Sequence, residues 1–173
     1  VGPVTVYRLG RGRLAKYFFH HTARKQALKM HHEKPYDTVW AIMANQAGLA
    51  ASGFKKQQPV TRYVLTLQEG DSAGAIWRRT WFMRAAYKNI YRRADTIQSI
   101  SQFLKVRAQK LGYKKEIAIV PNGVDIAHFT TVRTPAERDE LRRQLGINDE
   151  DRIIITTSRL VKKNGVDVLI RAM

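Results

Sequence analysis

Three short stretches hold residue types that could do chemistry. Ser158-Arg159-Leu160-Val161-Lys162-Lys163-Asn164-Gly165 follows an apolar run and precedes a helical pattern. A helix N-terminus presents free N–H groups and a partial positive charge, which suits a phosphate. Arg159 would add a planar bidentate donor and Lys163 a point charge. Together they would hold a diphosphate and stabilise its negative charge as it leaves; a solvated basic surface loop is the competing reading. Gln68-Glu69-Gly70-Asp71 puts an amide and two carboxylates after a second apolar run. These groups could hydrogen-bond sugar hydroxyls or take the proton of an acceptor hydroxyl. Asp71 could equally cap the helix that follows. Pro121-Asn122-Gly123-Val124-Asp125 ends a third run, and tight-turn chemistry accounts for Asn122-Gly123 without any ligand.

The elements that must position these residues alternate between apolar runs and longer helical patterns. Strands are expected at Val4–Tyr7, Thr38–Ile42, Arg62–Leu67, Thr96–Ile100, Ile117–Val120 and Ile153–Thr157. A first helix is expected from Leu14 to about His32, burying Leu14, Tyr17, Phe18 and Leu28. A helix of small residues, Ala47–Phe54, would pack close to a sheet, and a long one would run from about Ala75 to Arg93. Ser99 or Ser101 would cap the next, which closes near Gly112. Thr134, Pro135 and Glu137 spell an N-cap, a first-turn proline and a capping box, with Gly146 past the last turn. A final helix follows Gly165.

Strands apolar on both faces and alternating with helices predict an α/β fold, a Rossmann-like parallel sheet with helices on both faces. In such a sheet ligands bind beyond the carboxyl ends of the strands. All three candidate stretches fall at such ends. Residues 1–120 read as one unit, 121–147 as a connection carrying the capped helix, and 148–173 as the first strand and helix of a second unit.

Charge is the most uneven bulk property. The 173 residues carry 31 Lys+Arg against 14 Asp+Glu, a formal net charge of +17. No acid precedes Glu33, none lies between Asp37 and Glu69, and none between Asp71 and Asp95. Such a surface attracts nucleic acid, anionic headgroups or phosphorylated small molecules. A hydrophobic content of 44% supports a packed core. No apolar run approaches the roughly 18 residues of a membrane span. The absence of cysteine excludes disulfides and thiolate metal sites and fits a reducing compartment. The chain opens Val1-Gly2-Pro3 without a signal-peptide pattern and stops at Met173 inside a helical pattern, so both ends read as cut.

The residues also carry a family likeness. Val120-Pro121-Asn122-Gly123-Val124-Asp125 with Phe129 resembles the interdomain signature of retaining GT-B glycosyltransferases of family 4. Ser158 to Ile170 resembles that family's donor-phosphate loop and following helix. Ala94-Asp95-Thr96-Ile97 through Ser101 resembles the strand and serine before the signature, and Thr66–Asp71 the acceptor-side loop. The four features stand in the family's order and spacing over most of the chain.

The resemblance implies a two-domain enzyme that moves a sugar from a nucleotide-diphosphate donor to an acceptor hydroxyl with retention and without a metal or other cofactor. The N-terminal domain would bind the acceptor and the C-terminal domain the donor. Arg159, Lys163 and Gly165 would then contact the donor diphosphate, Gln68, Glu69 and Asp71 would form the acceptor-side loop, and Asn122 and Gly123 would line the crevice. The lysine that the family often has before the glycine is Asn164 here, with Lys163 one place earlier as its substitute, and the histidine that often opens the acceptor loop is Gln68. No catalytic residue is assigned. The family's N-terminal glycine-rich loop and its later pair of glutamates are missing, so the chain alone is expected to be inactive.

Between Trp77 and Arg93, a helix would gather Trp77, Trp81 and Tyr91 with Arg84, Lys88 and Arg92 on one face, and Phe82, Ala86 and Ile90 on the other. That face suits an anionic membrane surface and a lipid-linked or membrane-held acceptor, reached from the cytoplasm at the inner face of the membrane; a solvated face with partly buried tryptophans is the alternative. His20-His21 and His31-His32 lie about three turns apart and do not converge on a metal. Two readings compete with sugar transfer: a basic nucleic-acid-binding module, and a peripheral membrane protein without catalysis. No RRM, KH or helix-turn-helix pattern supports a specific nucleic-acid partner.

Overall fold

The computed structural model describes residues 4–10, 15–70, 81–130 and 134–173, which divide into two compact units, 1–122 and 123–173. In the first, α1 (Ala15–Glu33) leads to β1 (Thr38–Ile42), α2 (Gln46–Gln57) and β2 (Arg62–Leu67). A 3₁₀ turn (Trp81–Met83), α3 (Arg84–Arg92), β3 (Thr96–Ser99), α4 (Gln102–Lys110) and β4 (Ile117–Ile119) follow. The four strands form one parallel sheet in the order β1-β2-β3-β4. Parallel neighbours need a crossover, and helices supply each one, giving the expected Rossmann-like α/β arrangement.

Alternation along the strands sets the core. Ala41, Tyr63, Leu65, Leu67, Ile97 and Ile117 pack in one cluster with Tyr87, Ile90, Tyr91, Leu104 and Ala108 from the helices. Each fully buried leucine or isoleucine contributes about 1.5–3 kcal/mol. Gly48 lets α2 approach α3, because a Cβ there would meet Ile90 Cγ2 at 2.8 Å. At the amino edge, Asp95 ties three elements together. Its carboxylate accepts the Tyr63 amide at 2.7 Å and pairs with Lys55 at 2.7 Å, while its own amide donates to Tyr63 O at 2.8 Å. Burial alone would raise the Asp95 carboxyl, but the Lys55 and Tyr63 hydrogen bonds and the nearby lysine charges hold it below its ordinary value. Ser101, not Ser99, caps α4 by accepting the Leu104 amide, and Gly112 takes φ +100° past its end.

Several expectations need correction. Val4–Tyr7 forms no strand and its valines are exposed. Helix α1 exposes Tyr17 and Phe18, whereas Leu28 is half-buried as expected and Leu14 lies outside the described residues. A half-buried stripe of Phe19, Ala23, Ala27 and Met30 brings small residues to the side that meets α2. From Trp81 the expected long helix is a 3₁₀ turn followed by α3, with Met83 at φ −128° between them; Trp77 lies outside the described residues. Tyr91 is buried with Tyr87 and Ile90, at the i, i+3, i+4 spacing that faces the sheet, and Phe82 is exposed. The proposed aromatic face therefore loses Tyr91.

The second unit holds α5 (Ile126–Phe129), α6 (Pro135–Gln144), a 3₁₀ turn (Lys162–Asn164) and α7 (Val166–Ala172). Asp125 caps α5, and both halves of the Thr134–Glu137 capping box are formed. Ile153–Thr157 is not a strand: Ile153, Ile154 and Ile155 are 53%, 58% and 82% exposed. A strand exists by its ladder, and every strand pairing among the described residues lies within the first unit. No described helix is long and apolar enough to cross a membrane.

Candidate functional site

The sheet's carboxyl edge brings together parts of the two candidate stretches in the first unit. β2 ends at Leu67, and the next residue, Gln68, is exposed. The Val120 amide donates to Ser99 O at 2.8 Å, carrying the chain beyond β4 to Pro121 and Asn122. Gln68 Nε2 donates to Asn122 Oδ1 at 3.5 Å, across 54 residues of sequence. Two amide side chains thus sit side by side in solvent, each keeping donor and acceptor capacity for a hydroxyl-rich ligand. From Val120 to Asp125 the backbone forms no turn, so the tight-turn reading of Asn122-Gly123 fails; the segment runs irregularly into the Asp125 cap.

Glu69 behaves differently from its neighbour. It turns inward, and its Oε1 accepts the Ala44 amide in a short hydrogen bond, while Oε2 is buried without a hydrogen-bond partner. The anchored loop is strained, since Met43 holds φ +72°, a conformation costly for a side chain with a Cβ. Beneath it lie Tyr63, Tyr87 and Tyr91, with the last two hydroxyls 3.0 Å apart. Burial raises all three phenol pKa values, and the Glu69 charge adds to each. Arg107, nearly buried on α4, opposes that rise at Tyr87 and Tyr91. Sequence reading missed this polar cluster; the tyrosines sit at core spacing and gave no polar signal. Asp71 lies outside the described residues.

In the second unit, Arg159 is exposed and its carbonyl accepts from Asn164 Nδ2 at 2.9 Å and from the Val161 amide at 2.8 Å. Asn164 thus closes the loop on itself. Gly165 takes φ +68°, a left-handed conformation that its lack of a Cβ allows, and starts α7. Arg159 and Lys163 both face solvent at the head of that helix. No group of three or more potential metal ligands occurs among the described residues.

Residues 1–128 match the Glycosyltransferase Family 4 domain. The chain belongs to that family. Two bacterial relatives narrow the comparison. Over 142 residues it is 32% identical to the GDP-mannose-dependent monoacylated alpha-(1-6)-phosphatidylinositol monomannoside mannosyltransferase of Corynebacterium glutamicum, covering 82% of this chain and 36% of the relative. It is 30% identical over 142 residues to the GDP-mannose-dependent alpha-(1-6)-phosphatidylinositol monomannoside mannosyltransferase of Mycolicibacterium smegmatis, covering 82% and 35%. The chain therefore spans about a third of the length of these relatives.

Proposed function

We propose that the chain contributes most of the acceptor-binding domain and the start of the donor-binding domain, with its phosphate loop, of a retaining GT-B glycosyltransferase. In this reading the enzyme moves mannose from GDP-mannose to a phosphatidylinositol-linked acceptor at the cytoplasmic face of a membrane. The observation that carries it is the meeting of Gln68 and Asn122 at the carboxyl edge of a parallel sheet, where such folds bind ligands. The donor and acceptor chemistry comes from the named activities of the two relatives.

Roles follow from chemistry. Gln68 and Asn122 hydrogen-bond acceptor hydroxyls, with Asp71 and Gly123 completing the acceptor loop and crevice. Glu69 holds the Met43–Asn45 loop in place from below. Arg159 and Lys163 offset the charge of the departing diphosphate, with Gly165 setting the start of the helix. No metal is required when two cations perform that task, and transfer should survive chelation by EDTA. Exposed Trp81 and Phe82, 67% and 69% accessible, suit contact with the membrane that holds a lipid acceptor.

The test separates the two halves in a polypeptide carrying this chain at the length of its relatives. Asn122→Ala should raise the acceptor KM and leave the donor KM unchanged, whereas Arg159→Ala should impair donor use. Equal effects of both variants on donor and acceptor would overturn the assignment.

A further inference from the structure

A groove of about 300 Å³ runs over the outward face of α2, walled by α1 on one side and α3 on the other. It lies on the helical layer of the first unit. Its floor is Leu49, Ser52, Gly53 and Lys56, one face of α2 at i, i+3, i+4, i+7 spacing. Five basic side chains converge on it: His20, His21 and Arg24 from α1, Lys56 from α2, and Arg93 just past α3. No carboxylate lines it among the described residues.

Four of these groups, His20, His21, Arg24 and Arg93, are held in place. Gly53 makes room for Arg24, since a Cβ there would meet Arg24 Cδ at 2.7 Å and Nη1 at 3.1 Å. Arg24 Nη2 lies 3.5 Å from His21 Nδ1. Arg93 Nη1 donates to Ser52 O at 3.3 Å and to Ser52 Oγ at 3.4 Å, and Ser52 Oγ donates to Asn89 O at 3.0 Å. His20 Nδ1 donates to Gln46 Oε1, and the two adjacent imidazoles sit 4.0 Å apart. Burial lowers the His20 pKa against the Gln46 hydrogen bond, and the His21 and Arg24 charges lower it further. Gathering like charges costs free energy unless a counter-charge joins them.

We propose that this groove is an anion site that takes a phosphoryl group, with Arg24, Lys56 and Arg93 as its charged donors. Arginine forks and a lysine match the oxygens of a phosphate mono- or diester. A volume of about 300 Å³ suits a phosphate ester rather than a bare halide. The groove is built wholly from residues of the first unit and shares none with the donor loop, so it does not depend on the sugar-transfer reading.

Inorganic phosphate titrated into the whole chain is the first probe, read by the His20 and His21 ring resonances in NMR and by calorimetry. Saturable shifts of both rings are expected. Arg24→Gln and Lys56→Gln should each weaken binding about tenfold, the loss of one charge-assisted hydrogen bond. Lys25→Gln removes the same charge from an exposed position of α1 outside the groove and should leave binding unchanged. Circular dichroism checks that each variant is folded. Phosphatidylcholine vesicles with and without phosphatidylinositol then distinguish the source. Vesicle binding that free phosphate displaces assigns the groove to a lipid headgroup; phosphate binding without such displacement assigns it to a soluble phosphate ester. Absence of ring shifts, or an equal loss with Lys25→Gln, overturns the proposal.

Discussion

Ile97 in β3 and Ile154 in the second unit belong to runs that both read as strands in the sequence, and they meet opposite fates. Ile97 is fully buried, hydrogen-bonded into a ladder with β2 and β4 on either side. Ile154 sits in a more apolar run, yet it is 58% exposed and unladdered. The contrast teaches that β-propensity supplies a candidate strand, and neighbours decide whether it becomes one.

Four substitutions can break or sharpen that contrast. Ile97→Ala should destabilise the first unit by about 2–5 kcal/mol, with a cavity left in the core. Ile154→Ala should change stability by no more than about 0.5 kcal/mol in the same denaturant titration. Comparable losses at the two sites would mean the second run is paired after all.

Asp95→Asn should cost about 1.5–3 kcal/mol, from the loss of charged hydrogen bonds to Tyr63 and Lys55. Because the native carboxyl lies below its unfolded value of about 3.9, its contribution is complete above that pH. It fades as pH falls through the lowered native value. Chemical denaturation from pH 7 down to acid should therefore show the wild-type advantage over Asp95→Asn shrinking only in acid. Within the second unit, Thr134→Ala should cost α6 about 1 kcal/mol, seen as faster amide exchange at Glu137 and Arg138. That would show local order resting on capping where no sheet supports it.

Local signals were the legible ones. The Thr134–Glu137 capping box, a serine cap narrowed to Ser99 or Ser101, Gly112 beyond α4 and the small-residue helix α2 could all be read from neighbouring residues, because their physics is completed within a few positions. The four paired strands were legible from their apolar runs. The face of α1 was misread in part: Leu28 was legible, but two aromatic residues, Tyr17 and Phe18, outweighed an alanine stripe whose value appears only against α2. At the candidate site the loops were legible and the side-chain directions were not. Gln68 and Glu69 are adjacent, and only the fold shows that one meets Asn122 and the other turns inward to Ala44. The cationic groove was invisible for the same reason, since its five basic residues are spread from His20 to Arg93 across three helices.

The most direct test of the central claim is transfer of labelled mannose from GDP-mannose to a phosphatidylinositol-based acceptor. The assay uses a polypeptide carrying this chain at the length of its relatives and compares it with its Arg159→Ala variant. The account predicts a mannolipid product with the donor's anomeric configuration and a rate lowered about 10²–10³-fold in the variant. No transfer by the folded wild-type protein, or transfer indifferent to Arg159, would contradict it.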